Sequence, residues 1–330
     1  MSKQEIVNRY QESVKVKQVL KQIQQDKNQI QITNLVGSSM SFVISETFKK
    51  DDKSYLLIFN DKEEAAYHLN DLEQLLTQKR VLFYPGSYRR PYQVEETDNA
   101  NVLMRSEVLN RINSRKKPTI IVSYPEALFE KVVTKKDLER NTLKLSVSES
   151  VSLDFVNEIL FEYNFNRVDF VTEPGDFSVR GGIIDVFSFS NDEPFRIEFF
   201  GDEIDSIRTF DVETQLSKEK LRKASIMSNV ENKTLQEKRE SFLQYIASNT
   251  VIFLKNKDLL IGKLDKLFSR AESAFSELSK ELNHAKPIDL FCNGSFIQNQ
   301  LSNFRVASFE TYTSGDRPII DFITKAQPSF

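Results

Sequence analysis

Five strand-like runs crowd into the middle of the chain: LKLSV, RVDFV, FSVRGGIIDVFSF, PFRIEFF and EIDSIRTF, ending at Phe210. Parallel pairing needs a crossover of a dozen or more residues, and most of these gaps are far shorter. The strands must therefore pair mostly antiparallel. SNDEP and FGDE read as hairpin turns, and one helix, SLDFVNEILFEYNF, interrupts the series. This predicts a small α+β domain over residues 129–213.

The flanks have a different grammar. On the N-terminal side SYLLIF, VLFYP and PTIIVSY are apolar runs separated by the helical stretches EEAAYHLNDLEQLL and NVLMRSEVLNRINS. Strands alternating with helices imply a parallel sheet with crossover helices, over residues 1–128. The first 24 residues read as one amphipathic helix carrying Ile6, Tyr10, Val14, Val16 and Leu20, followed by a strand in QIQITNLV. After Gln215 the α/β pattern is expected to resume over 214–330. TVIFLKN, PIDLF, RVASFET and IIDFIT read as strands, and DLLIGKLDKLFSRAESAFSELSKEL as a long helix. A parallel sheet split by an inserted antiparallel domain accounts for this order. The ending QPSF, with no polar tail, suggests that the sequence is part of a longer protein.

Composition removes several function classes. The net charge of −3 argues against a surface dominated by phosphate contacts. A single cysteine, Cys292, leaves no disulfide framework and no cysteine-based zinc site. His68 and His284 stand alone, and no histidine-dependent triad suggests itself. The N-terminus has no apolar core run, and no stretch reaches the roughly 18 apolar residues of a membrane span. A cytoplasmic protein is expected. The 26 phenylalanines, with no tryptophan beside them, read as core material.

The first strand-turn-helix invites comparison with a phosphate loop, G-x-x-x-x-G-K-[ST]. The corresponding run is Asn34-Leu35-Val36-Gly37-Ser38-Ser39-Met40-Ser41. Only Gly37 and Ser41 suit a loop. Asn34 and Ser39 stand where glycines let backbone amides approach phosphate, and Met40 stands where lysine would balance its charge. The acidic residues that hold Mg²⁺ in such sites are also missing, because TVIFLKN ends in Lys255 and Asn256. Asp258 close by reads as a helix N-cap. A plain strand-to-helix turn is the simpler reading, and nucleotide hydrolysis is not expected.

Residues 173–187, EPGDFSVRGGIIDVF, and 196–211, RIEFFGDEIDSIRTFD, carry a longer and more specific pattern. It resembles the second domain of the transcription-repair coupling factors, the Mfd family, and more loosely that of the excision-repair protein UvrB. VGSSMSFV falls where UvrB has its phosphate loop, and IIVSYPEALFEKV resembles the strand and helix before the second domain. The resemblance implies a degenerate helicase-like domain, of P-loop type, split by the inserted domain. It implies that the insertion binds the nucleotide-excision protein UvrA. Stalled RNA polymerase, DNA, ATP and Mg²⁺ would be engaged by other domains of the full-length protein, and no cofactor is expected in this region.

On that basis the UvrA-docking candidates are Arg167, Arg180, Phe187, Arg196, Glu198 and Phe200. Alternation in PFRIEFF puts Arg196, Glu198 and Phe200 on one face and Phe195, Ile197 and Phe199 on the other. Each arginine has an alternative use, an ion pair with Asp169, Asp185 or Glu198. A second cluster, Tyr88, Arg89, Arg90 and Tyr92, stands where UvrB carries a long aromatic hairpin. It is a weaker candidate for nucleic-acid contact, with a surface turn as the alternative.

Overall fold

The structure, a computed structural model, describes residues 2–25, 29–76, 80–87, 92, 99–114, 117–191, 193–228, 238–278, 285–309 and 318–324. Helices α1 (Lys3–Glu12) and α2 (Val14–Gln24) lead into β1 (Ile30–Thr33), α3 (Ser39–Phe48), β2 (Tyr55–Ile58), α4 (Lys62–Leu75), β3 (Val81–Phe83), α5 (Asn99–Ser114) and β4 (Ile120–Ser123). A connector follows with α6 (Pro125–Phe129), β5 (Val132–Val133) and α7 (Lys135–Arg140). Then come β6 (Thr142–Ser146), α8 (Leu153–Glu162), β7 (Asn166–Arg167), β8 (Asp176–Arg180), β9 (Ile183–Val186), β10 (Phe195–Phe200), β11 (Glu203–Phe210), β12 (Ser217–Leu221) and β13 (Lys223–Met227). The chain returns through β14 (Arg239–Glu240), α9 (Phe242–Tyr245), β15 (Val251–Leu254), α10 (Lys257–Glu277), α11 (Pro287–Leu290), α12 (Gly294–Leu301), β16 (Arg305–Ser308) and β17 (Ile319–Asp321).

The two flanks make one sheet. Its order is β17-β1-β16-β15-β2-β4-β3, and every pairing is parallel. Strands β15 and β16, from the end of the chain, lie between β1 and β2 from its beginning. Neither flank could close this sheet alone. Strands β1, β2, β4 and β15 are buried along their whole length, as a parallel sheet covered on both faces requires.

The insertion is a six-stranded sheet of order β12-β11-β10-β9-β8-β7, antiparallel except for the short β7–β8 pair. Strand β6 pairs with β13 beside it, and β5 pairs with β14 between the two connecting segments. A boundary at 213 would cut between the paired strands β11 and β12. The inserted unit instead runs to Met227, and the parallel sheet resumes only at β15.

Four local readings also change. Residues 2–24 form two helices, because Ser13 leaves helical geometry and its hydroxyl accepts from the Val16 amide. Asn256, not Asp258, caps α10, accepting from the Leu259 amide at 2.9 Å. PIDLF forms the one-turn helix α11 with Pro287 in its first turn, not a strand. The strand read in RVDFV shrinks to Asn166–Arg167.

Candidate partner-docking face

Two tight turns build the outer face of the inserted sheet. Arg180 pairs with Ile183 across Gly181 and Gly182, and Gly181 has a φ of +59°. A Cβ on Gly182 would lie 3.0 Å from the Phe199 carbonyl oxygen, and the Phe199 amide donates to the Gly182 carbonyl at 2.7 Å. Between β10 and β11 the turn is Gly201-Asp202, with Gly201 at φ +60°. Glycine supplies the positive φ that a two-residue hairpin turn demands.

With the register fixed, alternation sorts the side chains. Val179, Ile184, Ile197, Ile207 and Leu221 line up across the inner face, which packs on Val156 and Leu160 of α8. Ser178, Asp185, Arg196, Arg208 and Lys220 form one row across the outer face. Arg180, Ile183, Glu198 and Ser206 form the next.

Charge pairing knits these rows together. The Asp185 carboxylate is only 1% exposed, yet it accepts three hydrogen bonds. Arg196 gives two of them, Nε at 2.7 Å and Nη2 at 2.8 Å, and Arg180 gives one from Nη2 at 2.6 Å. Arg196 also donates to the Gln215 carbonyl at 3.1 Å and lies over the Phe210 ring at 4.6 Å. The bond to Asp185 holds its pKa above the ordinary arginine range, against the opposing effect of burial. Glu198 accepts from Arg208 Nη2 and from the Ser206 hydroxyl.

The candidates therefore separate. Arg196, with a side chain 17% exposed, is committed to Asp185. Arg180 is 46% exposed and reaches over the exposed Phe170 ring at 5.4 Å. Arg167 is exposed, and no ion pair or hydrogen bond holds its side chain among the described residues. Arg167, Asp169, Phe170, Ser178 and Arg180 line a cleft of about 520 Å³ at the β7 edge. Phe200 is 85% exposed beside Glu198. Phe187 does not belong with these residues. It is buried against Val171 and Phe210, so its expected place on the docking face is corrected. Sequence reasoning missed Phe170 and Arg208. Their only signal was position in the register, which one sequence does not supply.

The turn at residues 34–41 is closed by its own side chains. Asn34, at φ +58°, donates from Nδ2 to Asp321 at 2.6 Å, and the Ser39 hydroxyl and amide both donate to the Val36 carbonyl. Gly37 carries φ +55°, and Ser38 shares a 2.6 Å hydrogen bond with the Tyr67 hydroxyl. Met40 sits in the apolar core. Ser41 is buried and hydrogen-bonds His68 Nδ1 at 2.7 Å, and the His68 ring stacks on Phe59 at 4.4 Å. Burial pushes the His68 pKa down to about 4, although Glu64 and Asp71 pull it the other way. Lys255, after β15, lies 3.5 Å from Glu64.

Of the basic-aromatic cluster, Tyr88, Arg89 and Arg90 lie outside the described residues, as does His284. Tyr92 is half-buried. Its hydroxyl donates to the Ala285 carbonyl at 2.8 Å and its ring packs on Phe275 and Phe291. That ring is occupied by the fold and is not presented for stacking on a base.

Among the described residues no cluster of His, Cys, Asp and Glu is placed to hold a metal, and no helix is long and apolar enough to cross a membrane. Comparison with known proteins points to the same region as the docking face. Residues 143–231 match the family described as the UvrB interaction domain, and these are nearly the limits of β6 to β13. The chain is 29% identical over 196 residues to the transcription-repair-coupling factor of Bacillus subtilis, covering 59% of this chain and 16% of that one. The corresponding factor of Staphylococcus haemolyticus is 34% identical over 202 residues, 60% of this chain and 17% of that protein. That of Staphylococcus aureus RF122 is 33% identical over 213 residues, 61% and 18%. The chain thus spans about one sixth of the length of these relatives. Residues 143–231 are thus similar to UvrB interaction domains, and the chain as a whole is similar to part of the transcription-repair-coupling factors.

Proposed function

We propose that this module is a non-catalytic docking unit that recruits UvrA to lesion-stalled transcription. The outer sheet face carries the proposal. It lies on the UvrB interaction domain and presents Arg180, Glu198 and Phe200 to solvent, with Arg167 exposed at the adjoining β7 edge. Arginine beside an exposed aromatic is a common composition for an interface anchor. In this reading RNA polymerase and DNA are engaged by other parts of a longer protein, and ATP and Mg²⁺ belong to its motor.

The turn at 34–41 supports a non-enzymatic role for the parallel sheet. With Met40 in the core and Ser41 bonded to His68, neither side chain is directed at a phosphate site. A nucleotide-dependent enzyme and a DNA-binding module are the competing readings. The test is calorimetric titration of purified UvrA with the protein and with its Arg167→Glu/Arg180→Glu variant. Binding lost in a variant with unchanged circular dichroism supports docking; equal affinity of variant and parent would sink it. Saturable ATP binding, or salt-dependent retention of DNA, would favour a competitor.

A further inference from the structure

We infer that the outer face of α8 is a separate interaction surface, and that its occupant is helix α2 of a second copy of the protein. Val156 and Leu160 turn one side of α8 onto the inner face of the inserted sheet, so its other side points away from the sheet altogether. That outer side is acidic and aromatic. The helix, LDFVNEILFE, has no basic residue, and Asp154, Glu158 and Glu162 stand four positions apart in one ridge. Among the described residues none of the three is ion-paired. Like charges at this spacing repel, and Glu162 also faces the negative end of its own helix, with no basic residue in the last turn. Phe155 borders the ridge at 47% exposed. Phe161 borders it on the other side at 48% exposed, with its ring edge-on to Phe177.

Helix α2 is the complement. Its sequence, VKVKQVLKQIQ, has no acidic residue, and Val16, Val19 and Ile23 turn its apolar side inward. Lys17 and Lys21 are exposed, four positions apart, and neither is ion-paired among the described residues. Val14 beside them is 67% exposed. Lys50 and Lys53 add positive charge along the same helix, donating to the Gln11 and Ile23 carbonyls, each at 3.4 Å. The spacings coincide. Val14, Lys17 and Lys21 stand at i, i+3 and i+7, and so do Phe155, Glu158 and Glu162. Laid parallel, the two helices put Val14 on Phe155, Lys17 on Glu158 and Lys21 on Glu162. Docking relieves a like-charge repulsion on each helix and covers apolar surface on both. Both faces are exposed within one copy, so the match is made between two. The two surfaces differ, which makes the contact head-to-tail. It is small beside a standard interface, so it is weak and sensitive to salt.

The test is sedimentation equilibrium of the protein over a range of concentrations, at low and high salt. The parent is expected to self-associate at low salt and to do so less at high salt. Lys17→Glu/Lys21→Glu and Glu158→Lys/Glu162→Lys should each lower the association constant about tenfold or more, because like charges then face each other. The quadruple variant, with both pairs exchanged, should regain the parental constant. Either pair leaving association unchanged, or a quadruple variant as weak as its components, overturns the inference. Circular dichroism checks that each variant is folded. If a reversal pair does not fold, Phe155→Ser gives the same reading through the apolar contact, with weaker association expected and an unchanged constant overturning the inference. A parent that stays monomeric at every concentration also overturns it, even where a free lysine-rich helical peptide binds α8, since the occupant is then another protein.

Discussion

The two sheets treat polar groups in opposite ways. The parallel sheet is covered on both sides, and buried polar side chains around it are satisfied inward, as Ser41 is by His68 and Glu130 by Ser87 and Arg105. The inserted sheet packs one face on α8, and on the other Asp185 is buried beneath Arg196 while Arg180, Glu198 and Arg208 stay partly open to solvent. The difference follows from connectivity. Crossover helices cover both faces of a parallel sheet, whereas hairpins leave a face open. A region resembling an ATPase can thus have a closed interior while its insertion keeps a surface available for contact.

Substitutions can break this contrast, the most damaging first. Met40→Lys would restore the phosphate-loop lysine in name only. Because Met40 is 2% exposed, a lysine there would be desolvated, and a loss on the order of 4 kcal/mol is expected in urea unfolding. It should also confer no ATP binding. A variant of parental stability would show that the turn can open and let the lysine reach solvent.

His68 tests the same interior through pH. Its folded pKa, about 4, lies below the ordinary 6.5, so the unfolded chain takes up the proton first. Stability from this group is complete above pH 6.5 and falls progressively as pH drops towards 4, by roughly 3 kcal/mol in all. Unfolding midpoints at pH 7 and pH 5 should differ in the parent, and by less in His68→Leu. Identical pH dependence in both would remove His68 as the cause.

Phe200→Ser is the mild counterpart on the open face. With the side chain 85% exposed, its stability should move by less than about 0.5 kcal/mol, while UvrA affinity falls. A large drop in melting temperature would mean that the face is part of the core after all.

How much could be read in advance depended on local periodicity. PFRIEFF alternates strictly, so its two faces were legible, and the structure has Phe195, Ile197 and Phe199 buried as expected. Strand β12, SKEKL, is an edge strand held by backbone pairing, and its polar sequence gave no apolar signal. The boundary at 213 was misplaced for that reason. Phe187 lies just beyond β9, where its amide donates to the Asp176 carbonyl, and Val171 and Phe210 cover its ring in a small second core that its own strand does not reveal. Tyr92 is covered by residues nearly two hundred positions away, which no local pattern contains. The commitment of Arg196 to Asp185 depends on cross-strand register and became visible only in three dimensions.

The paired connectors have a further consequence. Strands β6 and β13 run side by side, and β5 and β14 repeat the arrangement closer to the parallel sheet. The insertion therefore enters and leaves through one narrow two-stranded neck. A unit whose ends lie together can be gained, lost or exchanged without redrawing the topology of its host. The neck makes the inserted sheet a cassette: selection can rework its outer face residue by residue while the parallel sheet that carries it stays the same.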